Sequence, residues 1–301
     1  MNKNTTSNWD KQTTGLTPQN SIGVFDSGFG GLTILRGLVK ELPLYNYLYL
    51  GDTARAPYGN RSPEIIYDFT KQAVDFMFKN NCEIIIIACN TASSDALRRI
   101  QKEYLPKYYP DKKVLGVLIP AAEEAIIKTK SQLSATGPKK IGVIATEGTI
   151  FSGAFIRELK KLDSKVKIFQ NACPLLVPII EAGEQNSPAV KIILENYLKP
   201  LEKKGIDTLI LGCTHYGIFE NQIKKIVGPN VNIISETKII SKKLKNYFER
   251  HPEIEKKISR NSGVKLGQGI INFYSTDLTK KFILLGSKFF GKKITAKKIS
   301  L

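Results

Sequence analysis

Residues 84–97 read IIIIACNTASSDAL, and residues 208–219 read TLILGCTHYGIF. Each is an apolar run of strand length that stops on a cysteine and continues in small hydroxyl or amide residues: Cys89, Asn90 and Thr91 in one, Cys213 and Thr214 in the other. A strand-length run without polar alternation marks a strand buried on both faces, the state of parallel sheets covered by helices. The residues that follow are the types that open helices.

Outward from these two stretches the pattern repeats. SIGVF (21–25), YLYLG (47–51), EIIIIA (83–88), VLGVL (114–118), KIGVIA (140–145), TLILG (208–212) and NVNII (230–234) are strand-like. Helix-period segments lie between them, among them PEIIYDFTKQAVDFMF (63–78), with Ile65, Phe69, Ala73 and Phe76 or Met77 on its apolar face. Alternation of this kind predicts an α/β fold with mainly parallel sheets, whose ligands bind beyond the carboxyl ends of the strands. Residues directly after the apolar runs therefore carry the most functional weight.

Composition narrows the class. The 301 residues are 42% hydrophobic and 24% charged, the balance of a folded globular protein. The opening twenty residues are polar and lack the apolar stretch of a signal peptide, so they are expected to form a loose tail on a cytoplasmic protein. No apolar run approaches the ~20 residues of a membrane helix. The net charge of +18 permits attraction to nucleic acid, but the lysines fall in short scattered clusters, which favours a solvated surface. Four cysteines in a chain without an export signal are expected to be reduced thiols, and their spacing to His215 and His251 does not suit zinc.

A longer-range regularity concerns IGVFDSGFGGLTILRGL from Ile22 and IGVIATEGTIFSGAFIREL from Ile141, which both run strand, glycine-containing turn, helix. They are 119 residues apart, and Cys89 and Cys213 are 124 apart. Near-equal offsets indicate two related α/β units, each ending a strand on a thiol. Facing about an approximate two-fold axis, the units would bring both thiols to one cleft, where one removes a proton from a carbon acid and the other returns one to the opposite face. Backbone N–H groups at the two helix starts are expected to pull each thiol below its ordinary ~8.5. Asp26 is placed to serve Cys89, or alternatively to cap the following helix; His215 is placed to serve Cys213. Gly28, Gly30 and Gly31 allow close backbone approach to a ligand carboxylate. Cys82 and Cys173 do not follow a strand and open a capped helix, and read as structural. A cysteine hydrolase would need only one thiol.

The motifs FDSGFGGLTIL, YLGDTARAPYGNRS, ACNTAS, GVIATEGTIFSGAF, ACPLLVPIIEAG and LGCTHY, in that order, resemble bacterial glutamate racemases of the cofactor-independent aspartate/glutamate racemase superfamily. The resemblance covers roughly residues 22–301. It implies interconversion of L- and D-glutamate without pyridoxal phosphate or metal, supplying peptidoglycan synthesis. It implies Cys89 as the base acting on D-glutamate, assisted by Asp26, and Cys213 as the base acting on L-glutamate, assisted by His215 with Glu181 behind it. Ser27, Pro57, Tyr58, Gly59, Asn90, Thr91, Thr146, Thr149 and Thr214 would hold the amino acid. The implied lobes are 21–113 with 235–301, and 114–234, with the site between them; a homodimer is implied, and in some members binding to DNA gyrase. The chain departs from the usual pattern at Gly217, where proline is common, and at ISETK (234–238), which lacks a frequent aspartate.

Overall fold

The structure, a computed structural model, describes residues 20–130, 139–258 and 269–301. The expected tail falls almost wholly outside them. Among the described residues ten strands are seen: β1 Ser21–Asp26, β2 Tyr47–Gly51, β3 Cys82–Ile87, β4 Lys113–Gly116, β5 Lys140–Ala145, β6 Lys167–Ala172, β7 Thr208–Gly212, β8 Asn232–Ile234, β9 Ile271–Ser275 and β10 Ala296–Lys298. They build a six-stranded sheet in the order β10-β9-β2-β1-β3-β4 and a four-stranded sheet in the order β6-β5-β7-β8. Every ladder is parallel, as the alternation of strands and helices predicts.

The core of the first sheet, β2-β1-β3-β4, has the same order as the whole second sheet once β1 is matched with β5 and β3 with β7. That is the repeat seen in the sequence. β4 pairs with β3, so Lys113–Gly116 belongs to the first sheet. The chain returns through the helix Glu236–Arg250, which packs on the helix Gly31–Glu41, and then adds β9 and β10 to the first sheet.

Alternate residues of the central strands face different cores, as a period of two requires. Ile84 and Ile86 of β3 join the cluster that runs through both lobes, while Ile85 and Ile87 join a cluster confined to the first lobe. Leu209 and Leu211 of β7 join that shared cluster, and Ile210 a cluster of the second lobe. Full burial of each such side chain stabilises the fold by about 1.5–3 kcal/mol, enough for the sheet ends to carry buried polar groups.

The helix Pro63–Lys79 starts where expected, with Ser62 as N-cap and proline at its first position. Its apolar face is turned by one residue from the expected one. Ile66, Thr70, Ala73 and Met77 are buried, whereas Ile65 is 41% exposed and Phe69 is half-buried under the Arg55 guanidinium. Both registers hold apolar residues at helical spacing, and contact with the first sheet selects between them.

Candidate active site

The carboxyl ends of the two sheets face each other. From the first sheet, Asp26 ends β1 and is 1% exposed. Its Oδ2 accepts the Gly28 backbone N–H at 2.9 Å, and Tyr49 Oη donates to the Gly28 carbonyl at 2.9 Å, which fixes the turn. The helix beyond has Gly30 at its N-cap, a residue without a side chain to bond the first turn. At Gly30 the backbone lies tight against the second thiol loop. A Cβ there would lie 2.1 Å from Thr214 Oγ1 and 2.7 Å from His215 Nδ1, which no larger residue tolerates without displacing the second thiol loop.

Cys89 lies just beyond β3 as the N-cap of the short helix Asn90–Asp95, with Sγ 3.3 Å from Ser27 Oγ. Cys213 follows β7 directly, but the next element is a 3-10 turn, Tyr216–Phe219; the α-helix begins only at Glu220. Both thiols are buried. The expectation of lowered thiol pKa values is overturned. Burial pushes Cys89 up to about 11, with the Asp26 carboxyl adding to it, against the Ser27 hydroxyl and the Ala92 and Ser27 backbone N–H groups. Burial likewise holds Cys213 well above the ordinary range; the His215 backbone N–H opposes, while Cys89, Asp26 and Glu236 add to the rise. Loss of solvation at these sealed strand ends exceeds what a few N–H donors return.

His215 is buried, with Nδ1 3.8 Å from Cys213 Sγ and 3.5 Å from Thr214 Oγ1. Glu181, in the helix Leu176–Ala182, places Oε1 3.3 Å from His215 Nε2, near enough for charge to act though outside hydrogen-bond geometry. Thr214 Oγ1 donates to Asp26 Oδ1 at 3.5 Å. Burial raises the Asp26 carboxyl above its usual range; His215 and the Gly28 and Gly31 N–H groups oppose, and Glu181 adds. Asp26, Glu181, His215 and the two thiols therefore occupy one electrostatically coupled space.

The remaining residues expected at the site form its walls. Thr91 Oγ1 lies 2.9 Å from Thr146 Oγ1 and 3.4 Å from Thr149 Oγ1, joining the Cys89 helix to the end of β5. Thr146 also caps the helix Glu147–Phe151. Gly59 lies against Thr146, its position for a Cβ 2.8 Å from Thr146 Cβ. Tyr58, after Pro57, is buried and donates its hydroxyl to Asp52 Oδ2 at 2.5 Å, so its backbone is what remains for a ligand. Asp52 also accepts from Arg55 at 2.7 Å and from Thr276 at 2.8 Å, holding the 52–59 loop. Asp52 and Glu236 are the buried acids that the sequence reading passed over. Both stand where strand-end logic points, Asp52 directly after β2 and Glu236 two residues beyond β8.

Cys82 and Cys173 lie apart from these groups, Cys82 at the start of β3 and Cys173 just after β6. All four cysteines are free and buried. Among the described residues no cluster of three or more His, Cys, Asp and Glu is arranged to hold a metal ion, and no helix is long and apolar enough to cross a membrane.

Known proteins share the sequence pattern and the fold. The sequence profile of the Asp/Glu/Hydantoin racemase family matches residues 22–244. A glutamate racemase from Sulfurihydrogenibium is 44% identical over 226 residues, covering 75% of this chain and 82% of that protein. The crystal structure of a Bacillus anthracis glutamate racemase isoform superposes with a TM-score of 0.82 at 33% identity, covering 94% of this chain and 98% of that one. The Francisella tularensis glutamate racemase, solved in complex with D-glutamate, gives 0.80 at 32% identity over 95% and 98% of the two chains. With two lobes of one topology, and with these relatives, the chain belongs to the Asp/Glu/hydantoin racemase family.

Proposed function

We propose that the chain is a glutamate racemase, inverting the α-carbon of glutamate between two thiols without pyridoxal phosphate, and that its D-glutamate serves peptidoglycan synthesis. One observation carries this reading: Cys89 and Cys213 come from equivalent strand ends of two like sheets into one buried space, each with its own polar neighbour. The division we propose, 21–116 with 235–301 against 117–234, puts one thiol on each lobe.

In the direction from D-glutamate, the Cys89 thiolate removes the α-proton, and the electron pair left on carbon spreads into the adjacent carboxylate. The Cys213 thiol then gives its proton to the opposite face. L-glutamate forms, Cys89 is left as thiol and Cys213 as thiolate; the reverse reaction exchanges the roles. Asp26 assists the first thiol, and His215 with Glu181 the second. A thiol with a raised pKa is a scarcer thiolate at neutral pH but a stronger base toward a weak carbon acid. Ser27, the 57–59 backbone, Asn90, Thr91, Thr146, Thr149 and Thr214 hold the amino acid, and the active form is a cytoplasmic homodimer.

The test is incubation of the pure protein with D-glutamate in heavy water without pyridoxal phosphate. Loss of optical activity together with deuterium entry at the α-carbon is expected. A folded protein that moves neither signal would refute the proposal.

A further inference from the structure

Glu236 opens the helix Glu236–Arg250 and is 3% exposed. Asn90, the residue after Cys89, donates Nδ2–H to Glu236 Oε2 at 2.8 Å. Asn90 Oδ1 and Glu236 Oε1 are both buried, and neither has a hydrogen-bond partner in the structure. The two heteroatoms of an amide diverge from Cγ, so tying Nδ2 to Glu236 turns Oδ1 away from it. A buried carbonyl oxygen left without a donor is costly unless a ligand supplies one. The α-ammonium of an amino acid is such a donor.

Resting on the racemase reading above, we infer that Glu236 is a positioning residue: its Oε2 accepts Asn90 Nδ2–H and thereby presents Asn90 Oδ1 to the substrate ammonium beside Cys89. The backbone around Glu236 is clamped for this purpose. Gly37 packs so closely that a Cβ would lie 2.7 Å from the Thr237 carbonyl oxygen, and Thr237 Oγ1 donates to Thr33 Oγ1 at 3.3 Å. On the other side, a Cβ at Gly217 would lie 3.3 Å from Ser235 Oγ. Gly217 thus lies beside Ser235, the residue before Glu236. Burial pushes the Glu236 carboxyl up to about 8, against its Asn90 hydrogen bond and with Asp26 adding, so it is mainly neutral at pH 7. A neutral acid still accepts from Asn90.

Steady-state kinetics on glutamate tests this with a variant series. Glu236→Gln keeps a neutral acceptor and is expected to hold KM and kcat within about twofold of the parent. Glu236→Leu removes the acceptor and is expected to raise KM about tenfold, with kcat changed less, the scale of a weakened hydrogen bond to a charged group. Asn90→Ala raises KM as well, and combining it with Glu236→Leu adds nothing further. Additive effects of the two, or a Gln variant as impaired as the Leu variant, would overturn the inference. Where Glu236→Leu does not fold, Glu236→Asp keeps the acid but withdraws it by one methylene; a several-fold rise in KM is expected, and an unchanged KM overturns the inference. A parent that does not racemise glutamate refutes the racemase reading itself; a racemising parent whose Leu variant keeps its KM refutes only the role of Glu236.

Discussion

Asn90 and Thr91 after the first thiol, and Thr214 and His215 after the second, occupy places related by the same offset of 124 residues, yet no side chain is shared between them. At the neighbouring strand ends Asp26 closes β1 where Ala145 closes β5, related by the offset of 119. The backbone plan is thus repeated and the proton chemistry is not. Cys89 has a hydroxyl at 3.3 Å and a carboxyl that ends the adjacent strand; Cys213 has an imidazole at 3.8 Å with a carboxylate behind it. A repeated fold supplies two equivalent strand ends, and its local residues decide what each thiol meets there.

The largest expected effect breaks both halves together. Cys89→Ser or Cys213→Ser is expected to lower racemisation by on the order of 10³-fold or more, since a hydroxyl is a far weaker acid than a thiol and one face loses its proton carrier. Polarimetry in both directions checks this; a variant retaining a tenth of the parent rate would break the symmetry of roles.

Replacing the helpers probes the difference between the halves. Asp26→Asn and His215→Asn are each expected to cost about 10–10²-fold in kcat/KM. Enantiomers have equal free energy in water, so that loss must be equal in both directions. The asymmetry is expected in kcat and in the α-deuterium isotope effect, Asp26→Asn acting mainly from D-glutamate and His215→Asn mainly from L-glutamate. The pH profile adds a sign. The Asp26 charge raises Cys89, so Asp26→Asn is expected to move the alkaline rise of kcat/KM to lower pH even as the maximum falls. An unshifted profile would show that Asp26 does not act on the thiol by charge.

Gly30→Ala tests how tightly the halves fit. Its Cβ must displace Thr214 or His215, and an ångström of misplacement costs about 10²-fold in rate. The loss is expected in kcat, with stability lowered by about 1–3 kcal/mol, read by circular dichroism beside the kinetics. The smallest effect on folding is expected from Thr91→Val, which removes hydrogen bonds between the lobes worth about 1 kcal/mol. Urea unfolding measures it.

The parallel sheets, the repeat and both thiols were legible because each strand end is a local signal, an apolar run that stops on a chemically distinct residue. β6 was not, since KIFQNA carries only two large apolar residues and lies at a sheet edge. The Pro63–Lys79 helix face was ambiguous because Ile65 and Ile66 satisfy the helical period equally. Glu236 meets Asn90 across 146 residues of sequence, a contact that folding alone creates. The thiol pKa direction failed for a related reason: N–H donors are visible as a local pattern, whereas sealing by the opposite lobe is not.

If each thiol serves one enantiomer, α-proton exchange in the single-thiol variants separates the two. In heavy water, Cys213→Ala is expected to exchange the α-proton of D-glutamate without inverting it, through Cys89, and to leave L-glutamate untouched; Cys89→Ala is expected to do the converse. Exchange of both enantiomers by the same remaining thiol would contradict the account.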